Sequence, residues 1–368
     1  MWDVFILKSY NHLFEKMLDK EFIKQNIYDA AKHKTKRNDV KHVLNNIDYY
    51  VDYIFDILNN GSFKIRIKDP VVINESNCKK TRIILRPNFM PDLIIQHMVV
   101  KILQPIFIKH FYQNSCASIP NKGPNYGRKI LNKFIFKNNN HRIYVFKCDI
   151  RKFFEHINRI KLRSILLNKI HDKKFMSIID SILFYNDDKY GIPLGFYSSQ
   201  WFANLYLTKF DFIIKQKFSI PFSMRYMDDI VIIDYSKRKL HRVINFINEY
   251  LETELNLKLK HDYQLFKFDN RCIDYMGFKF YKNKTTLRKQ TLYKIRRKTN
   301  LVHHKYCHFK KQLNWYVSSQ LISRIGMLKH VDCNLYFKRY IMPYVNIKRL
   351  CNLISIHSKY INMKCEVL

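Results

Sequence analysis

The sequence predicts an α+β fold: a split β-α-β antiparallel sheet with helices on one face and helical segments at either end. Three features predict it. Short apolar runs of strand character end in acids, as in IYVFKCDI (143–150) and MRYMDDIVIID (224–234). Stretches of helical period such as KLHRVINFINEYLETEL (239–255) separate those runs. The chain, 368 residues with 47% hydrophobic and 15% aromatic content, has ample material for a core, which excludes global disorder.

Taken in order, residues 1–60 read as helical, with Val43, Ile47, Val51, Ile54 and Leu58 at three-to-four spacing and a stop at Asn60-Gly61. A strand is expected over Phe63–Ile67. CKKTRIILRP (78–87) reads as a cationic turn entering a strand, and 91–107 as an amphipathic helix broken at Pro105. After the strand 143–150, Asn158 is placed to cap the helix RIKLRSILLNKI. The loop GIPLG (191–195) precedes an apolar helix over 198–216. MRYMDDIVIID reads as two strands meeting at an acidic turn, followed by the long helix. From Lys284 onward the chain is expected to be helical and strongly basic.

Sixty-six Lys and Arg face 30 Asp and Glu, a formal charge of +36. Codon bias toward Asn, Lys, Ile and Tyr explains some lysine but not the imbalance, because acidic codons suit an AT-rich gene equally well. Such self-repulsion points to a polyanionic partner, with nucleic acid first. No apolar run approaches the roughly 20 residues of a membrane span, so no membrane partner is expected. The N-terminus does not read as a signal peptide. Eight scattered cysteines without a CxxC read as reduced thiols in a cytoplasm. His303, His304, Cys307 and His308 form a local cluster, but no second ligand pair has zinc-finger spacing.

The chemistry is expected at the acids. Asp228 and Asp229, adjacent in an apolar hairpin, would repel each other unless a cation sat on them. A third carboxylate at the end of a neighbouring strand, Asp149, completes an oxygen-ligand set suited to Mg²⁺. Two such ions serve phosphoryl transfer. Taken alone, a DD pair is more often a solvated turn.

RYMDDIVII, FKCDIRKFF and GIPLGFYSSQWFANLYL, in this arrangement, resemble the palm of reverse transcriptases, and the resemblance covers about residues 63–300. It implies a right-hand polymerase fold: a helical extension (1–62), fingers (63–142), palm (143–283) and a helical basic thumb (284–368). It implies an RNA-directed DNA polymerase, with Asp149, Asp228 and Asp229 as catalytic acids and ligands of two Mg²⁺ ions, Mn²⁺ being the alternative. Lys80 and Arg82 would hold the incoming triphosphate, and Phe154 would exclude a ribose 2′-hydroxyl while Phe153 stays in the core. Leu194, Gly195 and Gln200 would border the nucleotide. Tyr226 would lie beneath the primer end, with Tyr275, Met276 and Gly277 in the primer-grip hairpin. Template RNA, DNA product and dNTPs are the implied partners.

Leu194 stands where many reverse transcriptases carry glutamine, so relaxed nucleotide selection is expected. IPLGxxxSQ, SCASIPNKG (115–123) and YMGFKF (275–280) resemble the enzymes of diversity-generating retroelements and the defence-associated, retron-like and group II intron-like enzymes of bacteria and phages. That group implies a structured noncoding RNA, an accessory protein and the cytoplasm of a bacterial or phage-infected cell. Two other functions compete: untemplated or protein-primed DNA synthesis, and an RNA-binding scaffold without turnover. The three intact acids argue against the scaffold.

Overall fold

The structure, a computed structural model, describes residues 9–75, 80–308 and 313–365. It opens with three helices, α1 (Lys20–Ala31), α2 (Asn38–Asn45) and α3 (Ile47–Asn59), whose apolar stripes, including Val43, Val51, Ile54 and Leu58, are buried. An antiparallel hairpin follows, β1 (Ile67–Glu75) with β2 (Lys80–Pro87). The expected strand at 63–67 begins only at its last residue. The reason is tertiary: the Ile65 N–H donates to Ser181 Oγ (3.2 Å) and the Arg66 N–H to Asp92 Oδ1 (3.0 Å), so neither is left for a ladder.

Helix α4 (Ile94–His110) runs straight through Pro105, contrary to the expected break. Pro105 and Lys101 both lie on the exposed face, so the carbonyl that proline leaves unbonded faces water. The opposite face buries Ile94, Ile95, Met98, Val99, Ile102, Leu103, Ile106 and Phe107, and such side chains stabilise by roughly 1.5–3 kcal/mol each. With the turn before it, Phe89–His110 is long and apolar enough to cross a membrane, but it is mostly buried and packs on α1, which accounts for its apolarity.

Next come α5 (Pro124–Lys137), β3 (Tyr144–Asp149), α6 (Phe153–His156), α7 (Arg159–Leu167) and α8 (Lys173–Leu183). Asn158 caps α7 as expected, accepting from the Lys161 N–H at 3.0 Å. The expected helix over 198–216 is two: α9 (Ser199–Tyr206) and α10 (Thr208–Lys217), divided at Leu207. The hairpin β4 (Phe222–Tyr226) and β5 (Asp229–Asp234) leads into α11 (Lys237–Leu255), capped by Ser236. Strand β6 (Gln264–Lys267) completes a four-stranded sheet in the order β4-β5-β3-β6. Ile230 to Ile233 are buried on β5, and α11 packs on that strand through a face bearing Leu240, Val243, Ile244 and Ile247.

A three-stranded antiparallel sheet follows, β7 (Ile273–Tyr275), β8 (Phe278–Phe280) and β9 (Thr285–Leu287). The purely helical tail expected from Lys284 thus begins with a strand. Its first residue is held by side chains: the Thr285 N–H donates to Asp332 Oδ2 (2.7 Å) and its hydroxyl to Asn132 Oδ1 (2.7 Å). Among the described residues, the α-helices that follow are α12 (Lys289–His303), α13 (Trp315–Gly326), α14 (Asn334–Tyr340) and α15 (Ile347–Cys365). The chain forms two compact units: one holds Met1–Pro120 with Phe146–Leu265, the other Asn121–Val145 with Phe266–Leu368.

Candidate active site

All three acids lie in the first unit. Strand β3 alternates, sending Phe146 and Cys148 to one buried face, so Lys147 and Asp149 share the other, beyond the buried Val145. Asp149 ends the strand. Its carbonyl accepts from the Lys260 N–H (2.9 Å), and the next amide, Ile150 N–H, donates to the Asp228 carbonyl (3.1 Å). That second bond ties the end of β3 to the turn of the β4–β5 hairpin. Tyr226 pairs with Asp229, leaving Met227 and Asp228 as a two-residue turn. Met227 is left-handed there (φ 55°), a position usually given to glycine.

Asp149 and Asp228 are brought together. The Asp228 carboxyl is pushed up to about 6, first by burial and then by Asp149 beside it. Asp149 Oδ1 is buried with no N–H or hydroxyl donor on it, while Oδ2 lies 2.5 Å from Lys260 Nζ. Asp229 Oδ1 lies 3.8 Å from Lys147 Nζ. Among the described residues no three His, Cys, Asp or Glu side chains converge into a tight ligand set. Lys260 and Lys147 supply positive charge beside Asp149 and Asp229. The donor chemistry nonetheless fits a divalent ion: hard oxygens, an unsatisfied buried one among them, and a proton-sharing conflict that a countercharge would relieve.

Phe153 is buried and Phe154 half-buried, their rings 5.4 Å apart edge to face. The Phe154 carbonyl accepts from the Ile192 N–H (2.8 Å), joining it to the GIPLG loop. A buried arginine holds that loop too: Arg159 donates through Nε to the Gly191 carbonyl (2.5 Å) and through Nη1 to Asn186 Oδ1 (2.5 Å). Gly195 touches protein rather than open space, since a Cβ there would lie 1.8 Å from the Leu85 carbonyl oxygen on β2. Leu194, Gly195 and Gln200 border a cavity of about 570 Å³ with Ser118, His97 and Tyr197, and the Gln200 amide is hydrogen-bonded to Ser118.

Arg82 is exposed on β2, opposite Ile73. The cationic turn before it and the side chain of Lys80 fall outside the described residues, as do the side chains of Cys307 and His308. Of that cluster, His303 Nδ1 meets the Tyr344 carbonyl at 2.9 Å. Tyr226 is half-buried at the end of β4. Tyr275 is wholly buried in the second unit, and Met276 (φ 50°) and Gly277 (φ 86°) form the β7–β8 turn. What the hairpin shows to solvent is the turn, not the tyrosine ring.

Sequence reasoning missed Lys147, Lys260 and the arginines. Lys147 was legible, two residues from Asp149 on one strand face. Arg225, in a strand of apolar neighbours, signalled a buried acid. Lys260, 111 positions beyond Asp149, carried no local signal.

The family model described as reverse transcriptase (RNA-dependent DNA polymerase) matches residues 71–280. No curated protein matches the chain significantly. Among solved structures, it is similar to apo telomerase from Candida tropicalis truncated from its C-terminal domain (TM-score 0.45, 13% identity, 63% of this chain and 58% of that one). It is also similar to telomerase from Candida albicans in complex with a fragment of telomeric RNA (TM-score 0.45, 11% identity, 85% and 64%). The chain therefore spans under two thirds of the length of either. The acids at the sheet end and a family match over more than half the sequence lead to one conclusion: the chain belongs to the reverse transcriptase family, nucleotidyltransferases with a right-hand polymerase fold.

Proposed function

We propose that the chain copies RNA into DNA, and that Asp149, Asp228 and Asp229 hold the divalent ions that this family generally uses. The observation that carries the reading is the Asp149–Asp228 pair, set at adjoining ends of one sheet inside the family's matched region. Ions bound there would activate the primer 3′-hydroxyl and neutralise the leaving pyrophosphate. The chain's own residues do the rest. Phe154 walls off the 2′-hydroxyl, Lys80 and Arg82 grip the triphosphate, and Leu194, Gly195 and Gln200 shape the nucleotide pocket. Tyr226, with Tyr275, Met276 and Gly277, seats the primer. In this reading residues 1–62, 63–142, 143–283 and 284–368 act as extension, fingers, palm and thumb.

The biological setting we favour is a diversity-generating or antiphage system of bacteria or phages. There the enzyme copies a dedicated structured RNA in the cytoplasm, with an accessory protein. Leu194 supports low fidelity: leucine fills the volume of glutamine without its hydrogen-bonding amide. Sequencing the nucleic acid that copurifies with the protein, then offering that RNA with a primer, Mg²⁺ and dNTPs, tests the reading. One recurrent RNA copied into cDNA is expected. Extension that ignores template sequence would replace the reading with untemplated synthesis.

A further inference from the structure

Directly behind the acidic turn lies a charged group buried far more deeply than the acids. Arg225 is 1% exposed, and its partner Asp211 on α10 is 6% exposed. The guanidinium is fully engaged. Nε reaches Asp211 Oδ1 (2.9 Å) and Oδ2 (3.0 Å), and Nη2 reaches Oδ2 (2.7 Å). Nη2 also reaches the Asn204 carbonyl (3.4 Å), while Nη1 donates to Asn204 Oδ1 (3.1 Å) and to the Met227 carbonyl (3.0 Å).

Met227 is the left-handed residue of the turn, a conformation that costs a non-glycine residue on the order of 1 kcal/mol or more and persists only where its surroundings dictate it. Arg225 supplies that dictation, since its side chain doubles back to seize the carbonyl two residues on. The arginine is itself immobilised from three sides. Its N–H donates to the Asn114 carbonyl (3.2 Å), and its carbonyl accepts from the Cys116 N–H (2.9 Å). Asn204 Nδ2 donates to the Ala117 carbonyl (2.8 Å). A buried ion pair of this kind seldom adds net stability over an apolar packing of similar volume, so its value here is geometric.

We propose that Arg225 is a positioning residue. Clamped by Asp211 and Asn204, it fixes the Met227 peptide and thereby the directions in which Asp228 and Asp229 leave the turn. Because Asn204 is one turn beyond Gln200 on α9, the clamp also ties the turn to the helix bordering the Leu194 cavity. The inference rests on the reading of Asp228 and Asp229 as the reacting acids, and the experiment separates the two.

RNA-templated dNTP incorporation is measured at steady state, with thermal melting alongside, for Asp228→Asn, Arg225→Lys, Met227→Asn and the Arg225→Lys/Met227→Asn pair. Asp228→Asn tests the reading and should lower kcat by about 1,000-fold. Arg225→Lys should lower kcat by about 30-fold while KM for dNTP stays within about twofold. Adding Met227→Asn, which takes up the left-handed conformation readily, should restore kcat at least about fivefold over Arg225→Lys alone. Loss of core stability would not be repaired at the tip of the turn. If Arg225→Lys does not fold, Asn204→Ser, which removes one acceptor of Nη1, should show the same split and the same recovery. An active Asp228→Asn overturns the reading itself. A dead Asp228→Asn with no kcat loss in the clamp variants, or a loss that Met227→Asn does not repair, overturns the clamp alone.

Discussion

Each side chain at the site answers to a local constraint that names its own test. Gly195 has no room for a methyl group against the Leu85 carbonyl, so Gly195→Ala must push loop and hairpin apart. We expect it to cost about 1–3 kcal/mol in thermal or denaturant unfolding, as overpacking does; an unchanged midpoint would mean the loop gives way freely. Phe154, half-buried and tied to Ile192, is expected to act on the sugar. Phe154→Ala should raise rNTP over dNTP incorporation by about tenfold or more with modest loss of dNTP rate, measured on one RNA template. An unmoved ratio would transfer the role elsewhere. Leu194→Gln should lower misincorporation roughly five- to thirtyfold, the worth of one hydrogen bond of about 1–2 kcal/mol applied unequally to right and wrong nucleotides. Equal error spectra would make leucine a packing choice. The acids were legible because charge is scarce in apolar strands. Lys260 was not, because the fold alone carries it 111 positions back to Asp149.

Helices and hairpins were legible wherever pattern and cap agreed, as with Asn158 and the RYMDDIVII hairpin. They were misread where tertiary partners overrode a local signal. Pro105 reads as a helix end, yet the buried apolar face on either side of it holds α4 together. Phe63 to Arg66 read as strand, yet Ser181 and Asp92 take the amides a ladder needs. Single side chains also join elements. Asp172 caps α8 through the Phe175 N–H (3.0 Å), and its other oxygen accepts from the Leu13 and Phe14 N–H groups (2.8 Å each). Asp172→Ala would orphan three donors, so a loss of about 2–3 kcal/mol is expected, more than a simple cap deletion. A melting-temperature change no larger than that of an exposed Asp→Ala control would refute the joint role.

At the scale of the whole chain, charge and protonation set the conditions of work. With +36 formal charges, RNA affinity should fall steeply with salt, the slope of log K against log salt reporting about 0.7–0.9 per phosphate contacted. His97, stacked on Tyr197 at 3.9 Å, is pushed down to about 4, first by burial and then by Lys34. Its folded state therefore stays neutral while the unfolded chain takes a proton below pH 6.5. Stability should be complete above 6.5 and fall toward pH 4, by roughly 1 kcal/mol or less per unit given partial exposure, a slope that His97→Phe should flatten. Asp228 gives activity a trend of the same sign: its carboxyl is pushed up to about 6, so on the proposed reading the ionised form that would hold a divalent ion gains as pH rises from 5 to 7. The most direct measurement is primer extension on RNA by Asp228→Asn beside the native chain, with RNA binding measured in the same preparations. The account predicts that incorporation falls by about three orders of magnitude while RNA affinity stays within about twofold. Undiminished DNA synthesis by the Asp228→Asn protein would contradict it.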